Sequence, residues 1–279
     1  MPAMILVLGT VIAFTIQLAP ASIARASVHT AATETRNGRI AYVLGSTTGS
    51  TDVASIRLAG TGSLNLTASE ANELYVDISP DGTSIAFARF TRRGGEIFTV
   101  PVTGGKARRL TRDRVHDELP IWSPDSSRIA FVRYAGAADA EIFVMDADGS
   151  NIVRITENEV DDADPRWSPN GTQLLYNSGS IDLNEQDVYL VTLADLGTRK
   201  LTSDGVNDSF GEWAPDGTGI AYASYRGDQW DVYVVTADGM ATTQLTDDPA
   251  DDFGPRWSPD GSQTLYVHGR LEGDPTRCT

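Results

Sequence analysis

The sequence predicts an all-β fold built from a repeated, four-stranded antiparallel unit, and three observations lead to that prediction. A proline-centred phrase, written "PRWSPDG" in its last copy, occurs five times at intervals of 44, 45, 46 and 44 residues. Each interval divides at turn signals into four short apolar runs. No stretch within the repeats has a helical period of useful length. The prolines of the five copies are Pro80, Pro124, Pro169, Pro215 and Pro259.

The copy at residues 119–156 shows how each strand is predicted. The runs "LPIWS", "RIAFVRY", "EIFVMD" and "NIVRIT" are separated by the turn "SPDS", the loop "AGAADA" and the turn "DADG". In the more common turn "SPDG", proline sets φ for the second position, aspartate bonds its own backbone and glycine takes the left-handed position. Strands of this length joined by short polar turns form an antiparallel meander.

The second strand of each repeat carries an apolar centre such as "IAF" that does not alternate with polar residues. Such strands are covered on both faces. Four-stranded sheets that are covered on both faces and recur about every 45 residues are the blades of a β-propeller. A tryptophan two residues before the motif proline is expected to pack between adjacent blades. These tryptophans are Trp122, Trp167, Trp213 and Trp257.

The strand count predicts an unusual ring. Residues 40–67 supply strands two to four of one blade, and residues 255–269 supply strands one and two of another. We therefore predict a six-blade type of propeller with an incomplete last blade. The alternative is a five-bladed ring, closed by residues 255–258 beside the strands of 40–67. The complete blades are predicted at 75–111, 119–156, 165–202 and 211–246.

The pattern "PRWSPDG…IAF…DVYVV…ADG…LT" resembles the TolB-type propeller repeat, a relative of the WD repeats. The resemblance extends from residue 37 to about residue 269. It implies the propeller fold strongly but a particular function weakly, because propellers of this type serve many roles. The N-terminal domain of TolB is not expected here, since the first blade begins about ten residues after the predicted signal peptide.

The two ends of the chain differ from the repeats. Ile5 to Leu18 is nearly all apolar, which is short for a membrane span and typical of a signal-peptide core. An A-x-A cleavage site follows at Ala24-Arg25-Ala26. We predict a signal peptide at 1–26, a flexible leader at 27–36, the propeller at 37–269 and a tail at 270–279. The mature protein is thus expected in the periplasm or outside the cell, without a stable membrane span; an uncleaved anchor is the alternative.

Composition excludes several classes of partner and site. The formal net charge is −16, which disfavours nucleic acid and favours cations or basic protein surfaces. The alternative is that the acidity only maintains solubility. Cys278 is the single cysteine, so neither an intramolecular disulfide nor a zinc–cysteine cluster is expected.

No catalytic signature is found in the sequence. A G-x-S-x-G nucleophile elbow is absent, and none of His29, His116 and His268 has a second histidine at metal-ligand spacing. The chain is therefore predicted not to be an enzyme. Two alternatives remain. One is a polysaccharide lyase-type propeller with histidines and a metal in its channel; the other is a propeller fragment of a longer, peptidase-like protein.

One acidic position recurs seven residues before every motif proline. The predicted loop runs from the outermost strand of one blade to the innermost strand of the next, so these carboxylates are expected at one mouth of the central channel. They either cap backbone N–H groups or bind a cation or basic peptide. The resemblance to TolB implies calcium, with Asp117, Asp162, Asp208 and Asp252 as ligands. The predicted binding residues are Glu73, Asp117, Asp162, Asp208 and Asp252.

Together these features predict a monomeric, non-catalytic exported binding module. It would present a loop-rich acidic face to a protein or a cell-envelope component.

Overall fold

The computed structural model describes residues 5–8, 11–14, 38–45, 50–113, 115–134, 139–180 and 185–269. Every regular element in this part of the chain is a β-strand, which confirms the all-β prediction. The strands are β1 (Ile5–Leu8), β2 (Val11–Phe14), β3 (Arg39–Gly45), β4 (Thr51–Arg57), β5 (Leu64–Asn65), β6 (Asn72–Ile78), β7 (Ser84–Thr91), β8 (Gly94–Pro101), β9 (Arg108–Arg109), β10 (His116–Trp122), β11 (Arg128–Tyr134), β12 (Ala140–Asp146), β13 (Val153–Arg154), β14 (Asp162–Trp167), β15 (Gln173–Ser178), β16 (Asp187–Thr192), β17 (Thr198–Lys200), β18 (Asp208–Trp213), β19 (Gly219–Arg226), β20 (Gln229–Thr236), β21 (Thr242–Gln244), β22 (Asp251–Trp257) and β23 (Thr264–Gly269).

The chain divides into two compact units. The first comprises 1–136 and 143–153, and the second comprises 137–142 and 154–279. Three sheets have the predicted order of four consecutive strands: β10–β13, β14–β17 and β18–β21. Strands β6–β9 follow the same order in a larger sheet, which β3, β4 and β5 join through one parallel pair between Thr51 and Asn72.

The last sheet has two strands. β22 pairs with β23, with Trp257 opposite Thr264, and no third strand joins them in the described part of the chain. Residues 255–258 and residues 40–44 thus belong to different sheets in the described structure. This is the local arrangement expected of an incomplete last blade, while the number of blades in the ring stays a prediction.

Two of the tryptophans before the motif prolines are shown to pack between neighbouring repeats, as expected. Trp122 belongs to a buried cluster with Ile97 of the preceding repeat and Ile129 of its own. Trp213 packs in the same way with Val188 and Ile220. The centres of the second strands β7, β11, β15 and β19 are buried on both faces, so each of these four repeats contributes to two cores.

The repeated turn has the predicted chemistry. In its first copy the N–H of Gly82 donates to the carbonyl of Ser79 at 2.7 Å, and Gly82 has φ 71°. Asp81 Oδ1 accepts a hydrogen bond from the N–H of Thr83 at 2.9 Å. Ser126 replaces the glycine in the second copy and adopts φ 60°.

A β-bulge interrupts the first strand of each repeat, and the sequence did not predict it. The register between first and second strands shifts five times, at one equivalent place in each repeat. The bulged backbone is left-handed, yet only one of the five residues is glycine, so no local signal marks it. The residues are Tyr75, Leu119, Asp164, Phe210 and Gly254.

The predicted cleavage site, the leader at 27–36 and the tail at 270–279 lie outside the described residues. Within the apolar N-terminal segment, β1 and β2 pair antiparallel, with Ile5 opposite Phe14. The described residues contain no helix that is long and apolar enough to cross a membrane.

Candidate functional site

The five recurring carboxylates occupy one equivalent position at the start of the first strand, and all are fully buried. Each lies directly opposite the residue sixteen positions later on the second strand. Because the two side chains share a face of the sheet, this cross-strand residue decides how the buried charge is compensated. The pairs are Glu73 with Arg89, Asp117 with Arg133, Asp162 with Ser178, Asp208 with Ser224 and Asp252 with His268.

Arginine neutralises the first two carboxylates. Arg133 Nε donates to Asp117 Oδ1 at 2.6 Å, and its Nη2 donates to Oδ2 at 2.9 Å. Arg89 Nε donates to Glu73 Oε1 at 2.7 Å. Burial raises the pKa of Asp117, and the Arg133 guanidinium offsets part of that increase. Both oxygens of Asp117 are therefore occupied by a cation that the protein itself supplies.

Serine stands opposite the next two carboxylates and brings no positive charge. Asp162 Oδ2 accepts a hydrogen bond from Asn158 Nδ2 at 2.7 Å, whereas Oδ1 is buried and has no hydrogen-bond partner among the described residues. Both side-chain oxygens of Asp208 are also buried and have no hydrogen-bond partner among the described residues. Burial raises the pKa of each carboxyl to about 6, and the nearby Ser178 and Ser224 hydroxyls offset this only in part.

Histidine stands opposite the fifth carboxylate. His268 Nδ1 lies 2.8 Å from Asp252 Oδ1 and 3.7 Å from Asp248 Oδ2. The hydrogen bond to Asp252 and the charge of Asp248 raise the pKa of His268. Asp252 Oδ2 is buried and lacks a partner in the described structure. One ligand atom from each of these three residues lies within 4.8 Å of the others, so the group has the spacing of a metal site.

A second row of acidic residues was missed by the sequence analysis. It stands at the start of the third strand, twenty-one residues before the first row, and a threonine of the same repeat donates a hydrogen bond to four of its five members. Thr156 Oγ1, for example, donates to Glu141 Oε2 at 2.5 Å and accepts from the N–H of Ile142 at 2.9 Å. The fixed offset is a signal that could have identified this row. Its members are Asp52, Glu96, Glu141, Asp187 and Asp231.

The residue just before four of the five carboxylates caps the backbone of the preceding repeat. Asp161 Oδ1 accepts from the N–H of Ala140 at 2.8 Å, and Asp251 Oδ1 accepts from that of Trp230 at 3.0 Å. Asn207 and His116 accept equivalent hydrogen bonds from Gln186 and Gly95. Backbone capping, which was the structural alternative for the carboxylates, is thus performed mainly by their neighbours.

A pocket of about 540 Å³ lies within the second unit, and its lining includes Asn158, which donates a hydrogen bond to Asp162. Tyr176 and Tyr189 form one wall, with ring centroids 5.7 Å apart. Asn158 and Ser178, which contact or face Asp162, contribute polar groups. Burial and the Asp162 carboxylate raise the pKa of Tyr176. Convergence of all five carboxylates at one channel mouth stays a prediction.

The repeat sequences and these sheets agree with one known family. A family model described as the TolB β-propeller domain matches residues 29–182, which is more than half of the chain. The chain belongs to the TolB β-propeller domain family. No curated protein sequence matches it significantly.

Solved structures with the same fold include a TolB and two kinds of enzyme. A putative TolB from Agrobacterium tumefaciens is 20% identical with a TM-score of 0.63, covering 76% of this chain and 75% of its own. An oligogalacturonate lyase in complex with manganese is 19% identical with a TM-score of 0.66, over 84% and 72%. A puromycin-hydrolyzing peptidase from Mycobacterium tuberculosis is 15% identical with a TM-score of 0.67, over 83% and 42%. At these identities the similarity shows the TolB-like fold alone.

Proposed function

We propose that this TolB-like propeller is an exported, non-catalytic binding protein whose acidic, loop-rich side binds a basic partner. The partner is a protein or a cell-envelope component. One observation carries the proposal: Asp162 and Asp208 are buried at a position where two other repeats supply an arginine, but the residue opposite each of them is a serine. An uncompensated buried carboxylate is costly, and a cation from a partner relieves that cost.

The overall charge supports the same proposal. A net charge of −16 attracts basic surfaces and accelerates their association at low ionic strength. Export is proposed from the apolar segment and cleavage motif at the N-terminus, and from membership of the TolB propeller family.

Co-purification from the envelope of the source organism tests the binding role. A variant carrying Asp162→Asn, Asp208→Asn and Asp252→Asn is compared with wild type and with an equally charged control, Glu70→Gln, Glu159→Gln and Asp247→Asn, whose sites are exposed. We expect wild type and control to retain a salt-sensitive partner that the first variant loses. Equal retention by all three proteins would contradict the proposal.

A metal ion is a second candidate ligand, favoured by Asp248, Asp252 and His268. Asp252 fits a metal because one of its buried oxygens is free, whereas Asp117 fits poorly because Arg133 holds both of its oxygens. Oxygen ligands suit calcium, and an added imidazole suits manganese or zinc. Calorimetry with each ion on wild type and Asp248→Asn tests this site. A heat of binding that wild type shows and the variant lacks supports it, and no heat of binding to wild type contradicts it.

An enzymatic role is the rival proposal, because similar structures include a lyase and peptidases. Incubation with oligogalacturonate and manganese, followed by ultraviolet absorbance of the unsaturated product, tests the lyase. Under the binding proposal no product forms. The mass of the native protein tests whether the propeller belongs to a longer, peptidase-like chain.

A further inference from the structure

Four repeats contain a pair of aromatic rings, one on the second strand and one on the third. Three of these pairs are covered by a guanidinium group of the same repeat. The covered pairs are Phe87–Phe98, with the Arg89 guanidinium carbon 4.4 Å from the Phe98 ring centre; Phe131–Phe143, with Arg133 5.1 Å from Phe143; and Tyr222–Tyr233, with Arg226 4.5 Å from Tyr233.

In the first two of these repeats the guanidinium performs two tasks at once. Arg133 lies over the ring of Phe143 and also donates two hydrogen bonds to Asp117. Arg89 likewise lies over the ring of Phe98 and donates a hydrogen bond to Glu73. A planar guanidinium suits both contacts, because it stacks on aromatic faces and forms paired hydrogen bonds with carboxylates.

The repeat that contains Tyr176 and Tyr189 keeps the carboxylate and the rings but has lost the arginine. Ser178 occupies the position of Arg89 and Arg133, opposite Asp162. A serine side chain is too short to cover Tyr189. The pocket of about 540 Å³ lies at this place, with Tyr176, Tyr189 and Ser178 in its lining.

Lys200 does not replace the missing guanidinium. Its Nζ is 5.8 Å from the ring centre of Tyr189, but it lies 2.6 Å from Asp187 Oδ2. The equivalent residues of two other repeats, Arg109 and Arg154, make the same kind of ion pair with Glu96 and Glu141. Lys200 therefore belongs to the second acidic row, and the charge of Asp162 is left without a cation among the described residues.

We propose that the pocket beside Asp162 binds a guanidinium group from outside the repeat, which takes the place that Arg89 and Arg133 fill in theirs. The group would lie over Tyr189 and pair with the buried, unpartnered Oδ1 of Asp162. Its source is either an arginine side chain of a protein partner or a small guanidino compound. The first source deepens, and rests on, the proposed binding function; the second is independent of it.

Calorimetry at pH 7.5 tests the pocket with N-acetyl-arginine amide as the probe. N-acetyl-citrulline amide, which has nearly the same shape but no charge, is the matched ligand control. We expect wild type to bind the arginine probe at least about tenfold more tightly than the citrulline probe. No binding by wild type, or equal binding of the two probes, would overturn the proposal.

Two variants locate the binding. Asp162→Asn is expected to lose the preference for the charged probe, while Glu70→Gln, which removes an exposed carboxylate outside the acidic position, keeps it. Ser178→Arg is expected to abolish binding and to raise the melting temperature, because the new side chain fills the pocket from within. If Asp162→Asn does not fold, Ser178→Arg decides alone: a variant that still binds the probe contradicts the assignment.

The pH profile provides an independent readout. Burial raises the pKa of Asp162 to about 6, so the carboxylate that the cation needs is fully present only above that value. Affinity for the arginine probe should therefore rise between pH 5 and pH 7, and a flat profile would contradict the pairing.

The envelope co-purification, repeated with Ser178→Arg, distinguishes the two sources of the guanidinium group. Loss of both the probe and the partner assigns the pocket to a partner's arginine. Loss of the probe with the partner retained assigns it to a small guanidino compound and leaves the proposed function standing. If wild type retains the partner but does not bind the probe, the pocket assignment is wrong and the proposed function is unaffected.

Discussion

At the scale of single residues, the side chain opposite each buried carboxylate determines whether that carboxylate stabilises the fold. Asp117 and Asp208 are equivalent in the repeat and equally buried. The first is held by both nitrogen donors of Arg133, and the second faces Ser224 without a hydrogen-bond partner in the described structure. The same substitution should therefore have opposite effects at the two positions.

Asp117→Asn is expected to destabilise the protein at pH 7.5 by about 3 kcal/mol, because the largely buried Arg133 then keeps only its ion pair with the more exposed Asp113. Asp208→Asn is expected to stabilise it by about 1 kcal/mol, because it removes a buried charge that Ser224 and Arg226 compensate only in part. Chemical denaturation of both variants measures the two free energies of unfolding. Destabilisation of similar size in both would show that the cross-strand residue is not decisive.

The pH dependence of stability follows from the same pair of serines. Asp162 and Asp208 have folded-state pKa values of about 6, above the ordinary value of 3.8. A raised carboxyl pKa means that the folded state binds the proton more tightly than the unfolded state does. Protonation of these two carboxyls therefore stabilises the fold fully below pH 3.8, and this contribution is lost as the pH rises to about 6. The double variant Asp162→Asn, Asp208→Asn should lose less stability than wild type between pH 4 and pH 7. Parallel curves from thermal unfolding would contradict this.

At the scale of the strand and turn, the sequence predicts what depends on neighbouring residues along the chain. The turn at Asp216-Gly217 was predictable because aspartate and glycine have fixed local roles. The bulge at Phe210 was not predictable, because nothing local favours a left-handed phenylalanine. The contact of Asp208 with Ser224 was missed for a related reason. It depends on the register between two strands, which the bulge shifts.

Gly217→Ala tests the turn. Gly217 has φ 73°, and an added Cβ would come no closer than 3.9 Å to another residue, so the cost is backbone strain alone. We expect a loss of about 1 kcal/mol in the free energy of unfolding. Gly45→Ala is the control, because that glycine has an ordinary φ and open space around its Cα. An equal effect of the two substitutions would show that the left-handed conformation is not what the turn requires.

At the scale of the whole molecule, the repeats and their period identified the fold, whereas closure depends on pairings that no local pattern encodes. The position of the carboxylates was predicted from their constant offset. Their burial and their different partners were not, because a single repeat contains no information on which side chain the next strand places opposite. The two-stranded sheet of β22 and β23 was predicted from the strand count and leaves an open edge in the described chain.

That edge should promote self-association. Val267 on β23 is 52% exposed, and unpaired strand edges with apolar side chains template pairing with other chains. Val267→Lys is expected to reduce association at high protein concentration, as measured by light scattering. Met240→Lys is the control, because it removes an even more exposed apolar side chain and adds the same charge in a turn. Equal reductions would assign the effect to net charge.

The caps between consecutive repeats have a consequence for folding. The third strand of one repeat begins at an N–H group whose acceptor is a side chain of the next repeat, as with Ala140 and Asp161. A repeat that opens therefore also leaves its predecessor with an unsatisfied donor, and the free energy of opening is shared between neighbours. Such nearest-neighbour coupling makes partly opened arrays rare. Loss of structure should begin at a terminal repeat and spread inward as a cooperative front.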